Sequence, residues 1–248
     1  MIVLRSEREI AFMREGGRIV AQSFCYVEKY VRPGAQLTQI ETRIADFIHG
    51  QGGSPAFKGY RGFPGAVCIS LNDEVVHGIP DKRVLKDGDI VSIDVGVSKD
   101  GYFSDGARTF PVGEISDASK RLLKVTEESL HKGIEQAVEG NRLSDISWAV
   151  QSHVEEHGFS VVRELTGHGI GRALHEPPNI PNYGPPGTGP LLRQGMVFAI
   201  EPMVNAGSFE TVTMPDGWTV RTKDGSLSAH FEHTICVGKE TATILTLP

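Results

Sequence analysis

The stretch LKDGDIVSID at residues 85–94 is echoed by LRQGMVFAIE at residues 192–201, and each copy ends on an acid. An earlier pair repeats at nearly the same offset, because a glycine precedes a candidate helix start at residues 34–40 and again at residues 140–146. Ten loosely similar residues alone would be weak support. Two helix starts and two strands that recur at almost one distance indicate a duplicated half-domain.

The duplication predicts a single domain spanning residues 1–248, with pseudo-symmetric halves at about 1–115 and 116–248. No linker composition separates the halves. A pseudo-twofold axis would bring Asp94 and Glu201, the acids that end the two copies, close together. Carboxylates approach each other only when something positive holds them.

Asp94 and Asp105 lie on either side of a turn signal, Lys99-Asp-Gly101, in a predicted hairpin. Their separation is odd, and residues paired across a two-residue hairpin loop have an odd separation and share a face. Both acids should therefore project from one face of the hairpin. Glu201 and Glu232 also have an odd separation, but a longer arm lies between them, so parity proves less there.

The four acids lie in apolar surroundings. Asp94 taken alone could equally lie on a solvated strand face. However, Ile and Val flank it, and Val197, Phe198 and Ile200 precede Glu201. An acid inside an apolar strand has to be paired, protonated or bound to metal. The sequence offers no four nearby cations, so a dinuclear metal site is the economical explanation.

Bulk properties restrict the class of protein. The formal net charge is −6 and no basic run is present, which disfavours sequence-independent nucleic-acid binding. The three cysteines are widely spaced without a CxxC pair, as in reducing compartments. Charges occupy the place of a signal peptide's apolar stretch, and no apolar run approaches the ~20 residues that span a bilayer. We therefore expect a soluble, cytoplasmic protein without membrane contact.

Apolar periodicity and capping signals predict two helices in each half. We expect these helices to begin near Ser6, Thr38, Asp117 and Ser144, and the third to end near Glu139. The main strands are expected at Ile90–Val97, Tyr102–Val112, Val161–Thr166 and Met196–Val204, with a last pair framing residues 203–237.

Three histidines lie in loop contexts that favour a functional role. His168 stands between glycines in Gly167-His-Gly169, which lets the backbone approach closely and re-aim the ring. His175 precedes Glu-Pro-Pro, and His77 precedes Gly-Ile-Pro. A lone histidine in such a loop is more often structural, but the setting of His168 favours a ligand or catalytic role.

Several of these motifs together resemble the type I methionine aminopeptidases, and the resemblance covers essentially the whole chain. The ordered set Asp, Asp, His, Glu, Glu is specific for the pita-bread metallopeptidase fold. That fold would be an α+β domain of two duplicated halves related by a pseudo-twofold axis, with helices outside a curved antiparallel sheet. The motifs are His77-Gly-Ile-Pro80, Asp94 with Asp105, Gly167-His-Gly-Ile-Gly171, His175-Glu-Pro-Pro178, Ile200-Glu-Pro202 and Phe231-Glu-His233.

The resemblance implies two divalent ions, drawn from Co, Mn, Fe and Zn. Asp94 would chelate one ion, Asp105 and Glu232 would bridge both, and His168 and Glu201 would complete the other. The pair would lower the pKa of a bridging water and give a hydroxide nucleophile near neutral pH.

It also implies a reaction, the removal of the initiator methionine from nascent proteins whose second residue is small. Glu201 would accept and shuttle a proton. His175 would stabilise the oxyanion, and His77 would hydrogen-bond the scissile amide or the next residue.

A methionine pocket is implied by the aromatic segment before Cys68. Sulfur–aromatic contacts would favour methionine there, although the same residues could be ordinary core or surface aromatics. Gly65, Ala66 and Leu174 depart from the commoner family pattern and bear on pocket shape and turnover. The implied pocket consists of Phe57, Tyr60, Phe63 and Cys68, with Trp218 as an aromatic lid. Asn72 and Ser228 resemble residues at an auxiliary site for a monovalent cation.

Two other functions stay open at this point. A proline-specific dipeptidase or aminopeptidase would share the five ligands, but such relatives usually carry a large N-terminal domain, and this chain begins almost directly with the catalytic module. A non-catalytic pita-bread module that binds RNA or protein would have lost ligands, whereas all five stand here. By resemblance alone we expect a monomer that acts on N-terminal methionine in peptides and nascent chains, with a transient ribosome contact.

Overall fold

The structure is a computed structural model that describes residues 2–248. Within that range the chain forms four α-helices and one short 3-10 turn, Tyr60–Gly62. Each half contributes two consecutive helices. The helices are α1 (Glu7–Glu28), α2 (Leu37–Gly50), α3 (Asp117–Glu135) and α4 (Leu143–Glu156).

Fifteen strands, most of them short, make up the rest of the regular structure in the described range. They are β1 (Ser54–Pro55), β2 (Cys68–Leu71), β3 (Glu74–Val76), β4 (Ile90–Lys99), β5 (Tyr102–Pro111), β6 (Ser160–Val161), β7 (Thr166–Gly169), β8 (Glu176–Pro181), β9 (Val197–Ile200), β10 (Met203–Asn205), β11 (Thr211–Thr213), β12 (Val220–Thr222), β13 (Ser228–His230), β14 (Glu232–Cys236) and β15 (Thr243–Ile244).

One nine-stranded sheet joins the two halves. Its strands follow the order β1-β4-β5-β14-β9-β7-β8, with β2 added beside β4 and β15 beside β14. All of its ladders are antiparallel. Two three-stranded sheets, β13-β10-β6 and β11-β12-β3, complete the β structure of the described residues. The junction between the halves is the ladder of β5 with β14, so the centre of the sheet contains strands from both.

Helix α1 shows which face of the main sheet is covered. It begins with a capping box in which Ser6 and Glu9 satisfy each other's backbone N–H groups. The helix packs on β4 and β5, and the Ser104 hydroxyl donates to the carbonyl of Met13 at 2.6 Å. Successive strand residues point to opposite faces, so Asp105 projects away from this helix. The helices therefore leave the acidic face of the sheet to the loops.

The predicted order of helices is confirmed, with shifts at their ends. Helix α2 begins at Leu37 rather than at Thr38, and its N-cap residue Gln36 makes no side-chain capping bond. Helix α3 ends at Glu135, four residues before the expected end, because the chain turns there toward Gly140, whose φ of 95° lies in the left-handed region. The apolar periodicity predicted the position of each helix but not the residues at which α2 begins and α3 ends.

Two of the predicted strands were expected to be continuous, and this prediction is wrong because each is interrupted in the structure. The chain expected to form one strand over residues 161–166 instead switches sheets, because β6 pairs with β10 and β7 pairs with β8 and β9. The strand expected over residues 196–204 is broken after Ile200 at Glu201-Pro202. Proline has no backbone N–H to donate to a ladder, so it ends the strand directly beside the acid.

Candidate active site

The strand register places the predicted metal ligands on one face of the main sheet. Asp94 lies opposite Ala107 in the β4–β5 ladder, and Ala107 lies opposite Glu232 in the β5–β14 ladder. Ile200 lies opposite His233, so Glu201, the next residue, follows the strand end beside Glu232. One row across the sheet therefore collects three of the acids.

A second row, two residues along the same strands, carries the other two ligands. Asp105 lies opposite Gly96 in β4, which shares a face with Asp94 because the side-chain period of a strand is two. His168 lies opposite Ala199, and Ala199 lies opposite Thr234. The Thr234 hydroxyl contacts both backbone groups of Asp105, at 2.9 Å from its nitrogen and 2.7 Å from its oxygen. The parity argument made for Asp94 and Asp105 is confirmed.

The ligand atoms converge closely. One atom each from Asp105, His168 and Glu232 lies within 4.8 Å of the others, and all three residues are buried. The Nε2 atom of His168 is 3.5 Å from Oε1 of Glu201. Thus the structure brings residues from β5, β7, β14 and the end of β9 to a single point.

The orientation of His168 leaves one ring nitrogen available. Its Nδ1 atom is 2.9 Å from the carbonyl oxygen of Gly169, which accepts a hydrogen bond and so places the proton on Nδ1. Burial lowers the pKa of His168 to about 4, so the ring is neutral near pH 7. A Cβ on Gly167 or Gly169 would collide with a neighbouring carbonyl oxygen, which is why glycine flanks the histidine. The free Nε2 lone pair faces the carboxylates.

Burial dominates the electrostatics of the four acids. Asp105 and Glu232 are 4% and 3% exposed. Desolvation, with repulsion from neighbouring carboxylates, raises the pKa values of Asp94 and Glu232 well above their ordinary range. Desolvation and the charge of Asp105 raise the pKa of Glu201 likewise, and desolvation raises the pKa of Asp105 to about 7. Ionised together, these groups would repel one another unless cations lay between them.

The donor set fits divalent metal. Oδ1 of Asp94 and Oε1 of Glu232 are buried without a hydrogen-bond partner among the described residues. Buried polar atoms are normally paired, so two unpartnered carboxylate oxygens facing the same cluster indicate a missing partner of positive charge. Four carboxylates and one imidazole suit Mn, Fe or Co and tolerate Zn.

Metal removal should lower the melting temperature of this protein. A ligand at a hundredfold excess over its Kd stabilises by about 2.7 kcal/mol, which corresponds to roughly 5–10 °C for a chain of this size. The pKa of Asp105 rises on folding from 3.8 to about 7, so the metal-free folded state binds more protons than the unfolded state. Its stability should therefore fall as pH rises through that window, and the loss on chelation should grow.

Differential scanning fluorimetry of chelated and reloaded protein, at about pH 5 and about pH 8, measures both effects. Reloading with Mn should restore the melting temperature. An unchanged melting temperature after verified metal removal would contradict the clustered site.

The acids form the floor of a cavity of about 130 Å³. Its walls are apolar and aromatic, and Phe63 meets Trp218 edge-on with ring centroids 5.2 Å apart. Burial and nearby acids raise the pKa of Cys68, which keeps its thiol neutral. The structure brings every residue of the predicted pocket and metal set to this one cavity: Phe57, Tyr60, Phe63, Cys68, His77, Asp94, Asp105, His168, His175, Glu201, Trp218 and Glu232.

His175 and Tyr60 lie together where the cavity opens. Nδ1 of His175 is 3.0 Å from the Tyr60 hydroxyl, and the two rings stack with centroids 5.3 Å apart. The His175 ring is also 4.1 Å from that of His168. His175 is exposed on its outer side, but desolvation of the part of the ring that faces the cavity, with the positive potential of nearby groups, lowers its pKa to about 3. His175 is therefore a neutral ring, with one nitrogen held by Tyr60 and the other able to face a substrate.

The loop that carries both histidines is clamped by the N-terminal segment. Arg5 is buried, pairs with Glu176, and packs its guanidinium against Gly171, where no side chain would fit. The other Glu176 oxygen accepts from the backbone nitrogens of Arg172 and Ala173, at 2.8 and 3.1 Å. Because Glu176 directly follows His175, this ion pair fixes the loop at its functional end.

Some residues at the site carried no signal that the sequence analysis used. Arg61 lines the cavity, but it is an exposed residue in a glycine-containing loop, between Tyr60 and Gly62. His230 is buried, its Nε2 has no partner among residues 2–248, and burial with the nearby His77 lowers its pKa to about 3. Thr234, in β14, holds Asp105 through both of its backbone groups. Only the position of Thr234, two residues after Glu232, could have indicated its role.

Asn72 and Ser228 are neighbours outside the cavity. The Ser228 nitrogen donates to the Asn72 carbonyl at 2.9 Å, and Asn72 has a left-handed φ of 56°. The Asn72 amide is already engaged, since it donates to Asp89 at 2.9 Å and accepts from the Ile90 nitrogen at 3.1 Å. The auxiliary cation site stays a prediction.

Comparison with known proteins places this geometry in a family. The sequence profile of Metallopeptidase family M24 matches residues 11–239. The chain belongs to metallopeptidase family M24.

Within family M24, the similar relatives are methionine aminopeptidases. Methionine aminopeptidase 1 of Bacillus subtilis (strain 168) is 55% identical over 246 residues, covering 99% of both chains. Methionine aminopeptidase of Escherichia coli (strain K12) is 47% identical, covering 99% of this chain and 94% of that one. The crystal structure of methionine aminopeptidase from Thermotoga maritima superposes with a TM-score of 0.98 at 47% identity, over 100% of both chains. Over its whole length this chain is therefore similar to methionine aminopeptidases of several bacteria.

The predicted pita-bread fold is confirmed by these neighbours. More distant M24 proteins share the fold as well. Xaa-Pro dipeptidase from Bacillus anthracis superposes with a TM-score of 0.80 at 24% identity, covering 98% of this chain and 61% of that protein. At that identity the likeness shows the fold and nothing about the substrate. None of the helices in residues 2–248 has the length and apolarity needed to cross a membrane.

Proposed function

We propose that this protein removes the N-terminal methionine from peptides and nascent proteins whose second residue is small. The observation that carries the proposal is the combination of four convergent acids and one histidine, which could hold metal, with an apolar, aromatic cavity directly above them. The methionine aminopeptidase relatives support the same reaction. The M24 family implies a hydrolase that uses divalent metal.

Two divalent ions per chain would be held by this chain's own ligands. Asp94 would hold one ion, Asp105 and Glu232 would bridge the pair, and His168 with Glu201 would hold the other. When bound, the ions supply Lewis acidity that activates a water molecule and polarises the scissile carbonyl. The proposed ions are drawn from Co, Mn, Fe and Zn, because all four suit this donor set.

The remaining site residues handle protons and developing charge. Glu201, which follows the end of β9 and whose carboxylate lies 3.5 Å from the His168 ring, would accept a proton during attack and return it to the leaving amine. His175, neutral near pH 7, donates to the oxyanion of the tetrahedral intermediate. His77, whose pKa burial lowers, is a neutral ring that hydrogen-bonds the scissile amide. All three line the same cavity.

Methionine specificity would come from the walls of the cavity. Phe57 and Phe63 are buried, while Tyr60 and Trp218 are half-buried around the opening. An unbranched thioether fits such a cavity and gains sulfur–aromatic contacts with its rings. A large second side chain would meet the wall beyond the scissile bond, so peptides with glycine or alanine there should react best.

Wider features of the protein follow the same proposal. A single catalytic domain with halves 1–115 and 116–248 is supported by the sheet that joins them, and α3 begins at the proposed boundary. A monomer in the cytoplasm that contacts ribosomes transiently, with a monovalent cation near Asn72 and Ser228, would suit action on nascent chains.

The test is release of free methionine from Met-Gly-Met-Met by metal-stripped protein reloaded with Mn, Fe, Co or Zn, beside Ala-Pro and Leu-Pro as X-Pro substrates without an N-terminal methionine. We expect cleavage of the first peptide only. Cleavage of the X-Pro peptides alone would favour a proline-specific peptidase. Two bound ions without any cleavage, or no bound metal, would favour a non-catalytic binding module.

A further inference from the structure

Arg61 is the only lysine or arginine among the residues of the described chain that line the catalytic cavity. It lies at the mouth, where its exposed side chain is next to the half-buried Tyr60 and the exposed His175. The acids are on the floor, where they are buried. The cavity therefore has a cation at its opening and carboxylates at its base.

The backbone holds Arg61 in an unusual conformation. Its φ of 49° is left-handed, a region that favours glycine over residues with a Cβ. A closed turn imposes this geometry: the Gly59 nitrogen donates to the Phe63 carbonyl at 2.9 Å, and the Phe63 nitrogen donates to the Tyr60 carbonyl at 2.9 Å. Non-glycine residues in this region cluster at binding and catalytic sites. The turn therefore fixes the backbone position from which the Arg61 side chain extends.

The Arg61 guanidinium has no carboxylate partner among residues 2–248. Its contact is the Tyr60 ring, with the guanidinium carbon 5.3 Å from the ring centroid. Arg83 pairs with Glu74 and Arg221 with Asp73, whereas Arg61, which is exposed at the mouth, has no such pair among the described residues. A guanidinium has five N–H donors in a fork that matches a carboxylate, and those of Arg61 are unused.

The charge balance of the loaded site favours an anionic partner at the mouth. Two divalent ions would neutralise the four carboxylates on the floor, so Arg61 would provide the remaining charge of the lining. The free amine of the substrate belongs to the methionine residue, whose scissile carbonyl must reach the ions, so it lies near the floor of the cavity. The rest of the peptide must leave through the mouth and pass Arg61.

We propose that Arg61 binds a carboxylate of the substrate on the C-terminal side of the scissile bond. The carboxylate is either an acidic side chain just after the second residue or the terminal carboxylate of a short peptide. The inference rests on the proposed function and adds a charge preference that the methionine pocket alone would not produce.

The test compares kcat and KM for the tetrapeptide amides Met-Gly-Glu-Gly, Met-Gly-Gln-Gly and Met-Gly-Lys-Gly, and for Met-Gly-Gln-Gly with a free terminus. The amides isolate the side-chain carboxylate, and the free acid isolates the terminal one. An exposed ion pair of about 1 kcal/mol corresponds to about a five-fold difference. We expect at least one carboxylate to raise kcat/KM about five-fold over the neutral amide, mainly through KM, with a smaller gain at high salt.

Arg61→Gln and Arg61→Asn should bring the ratio between acidic and neutral peptides to about one. Asparagine tolerates the left-handed backbone, so this variant separates charge from folding. Lys239→Gln makes the same change in net charge at an exposed residue outside the cavity and should keep the wild-type ratio.

Equal ratios in the wild type and both Arg61 variants, with methionine still released, would overturn this inference and leave the proposed function standing. A loaded enzyme that cleaves none of these peptides would overturn the proposed function and this inference with it.

Discussion

Asp105→Asn should abolish methionine release while leaving the protein folded. Asparagine has nearly the same shape, and the backbone bonds to Thr234 do not depend on the carboxylate. The substitution removes the charge that would bridge both ions, and metal-based stabilisation of the transition state amounts to several kcal/mol. We therefore expect kcat/KM to fall about a thousand-fold or more, since each 1.36 kcal/mol is tenfold in rate.

Two further measurements make this prediction specific. The number of bound ions, measured by metal analysis after gel filtration, should fall from two per chain. The melting temperature of the metal-free variant should equal or exceed that of the metal-free wild type, because one repelling acid is gone. Asp100→Asn is the matched control: Asp100 lies at the exposed hairpin turn with a φ of 52°, which asparagine accepts. Full activity in Asp105→Asn would refute the bridging role.

His175→Ala should lower kcat by about a hundred- to a thousand-fold, the usual cost of removing one oxyanion donor. KM should change little, because the donor acts on charge that develops only in the transition state. When the Tyr60 hydroxyl donates to Nδ1 across its 3.0 Å contact, the ring proton remains on Nε2 and can point at the substrate. Metal content should be unchanged, since His175 is not among the five ligands.

Tyr60→Phe separates donation by His175 from simple packing. The stacked ring is kept, but the bond that selects the His175 tautomer is lost, so we expect a smaller fall in kcat of about tenfold. His49→Gln, on an exposed face of α2, controls for the loss of a histidine. If His175→Ala instead raised KM by about a hundred-fold or more and left kcat unchanged, the ring would be assigned to substrate binding.

The features that repeat or alternate were predictable from the sequence. Strand parity alone put Asp94 and Asp105 on one face, because a two-residue loop leaves the register of β4 and β5 no freedom. Glycines flanking His168 indicated close backbone approach, and the structure shows neighbouring carbonyl oxygens there. The family resemblance named the rest of the ligand set, and the structure brings that set to one cavity.

The features that depend on distant contacts were not predictable. The segment from Val161 to Thr166 has strand-like composition, but its two ends pair in different sheets. Arg5 reads as an ordinary charge near a helix start, and only the folded chain shows its guanidinium filling the space beside Gly171. Arg61 has a left-handed backbone because a turn closes around it. An arginine in a sequence does not predict that conformation.

The distribution of the ligands along the chain has a consequence for biosynthesis. Asp94 and Asp105 come from the first half, while His168, Glu201 and Glu232 come from the second, and the last of them lies close to the C-terminus. No fragment made early in translation contains the full set, so the proposed metal site could form only when the chain is nearly complete. Bound metal would link segments that lie far apart in the sequence. The entropic cost of closing a loop grows slowly with its length, so such a long-range link would restrict the chain more than a local one.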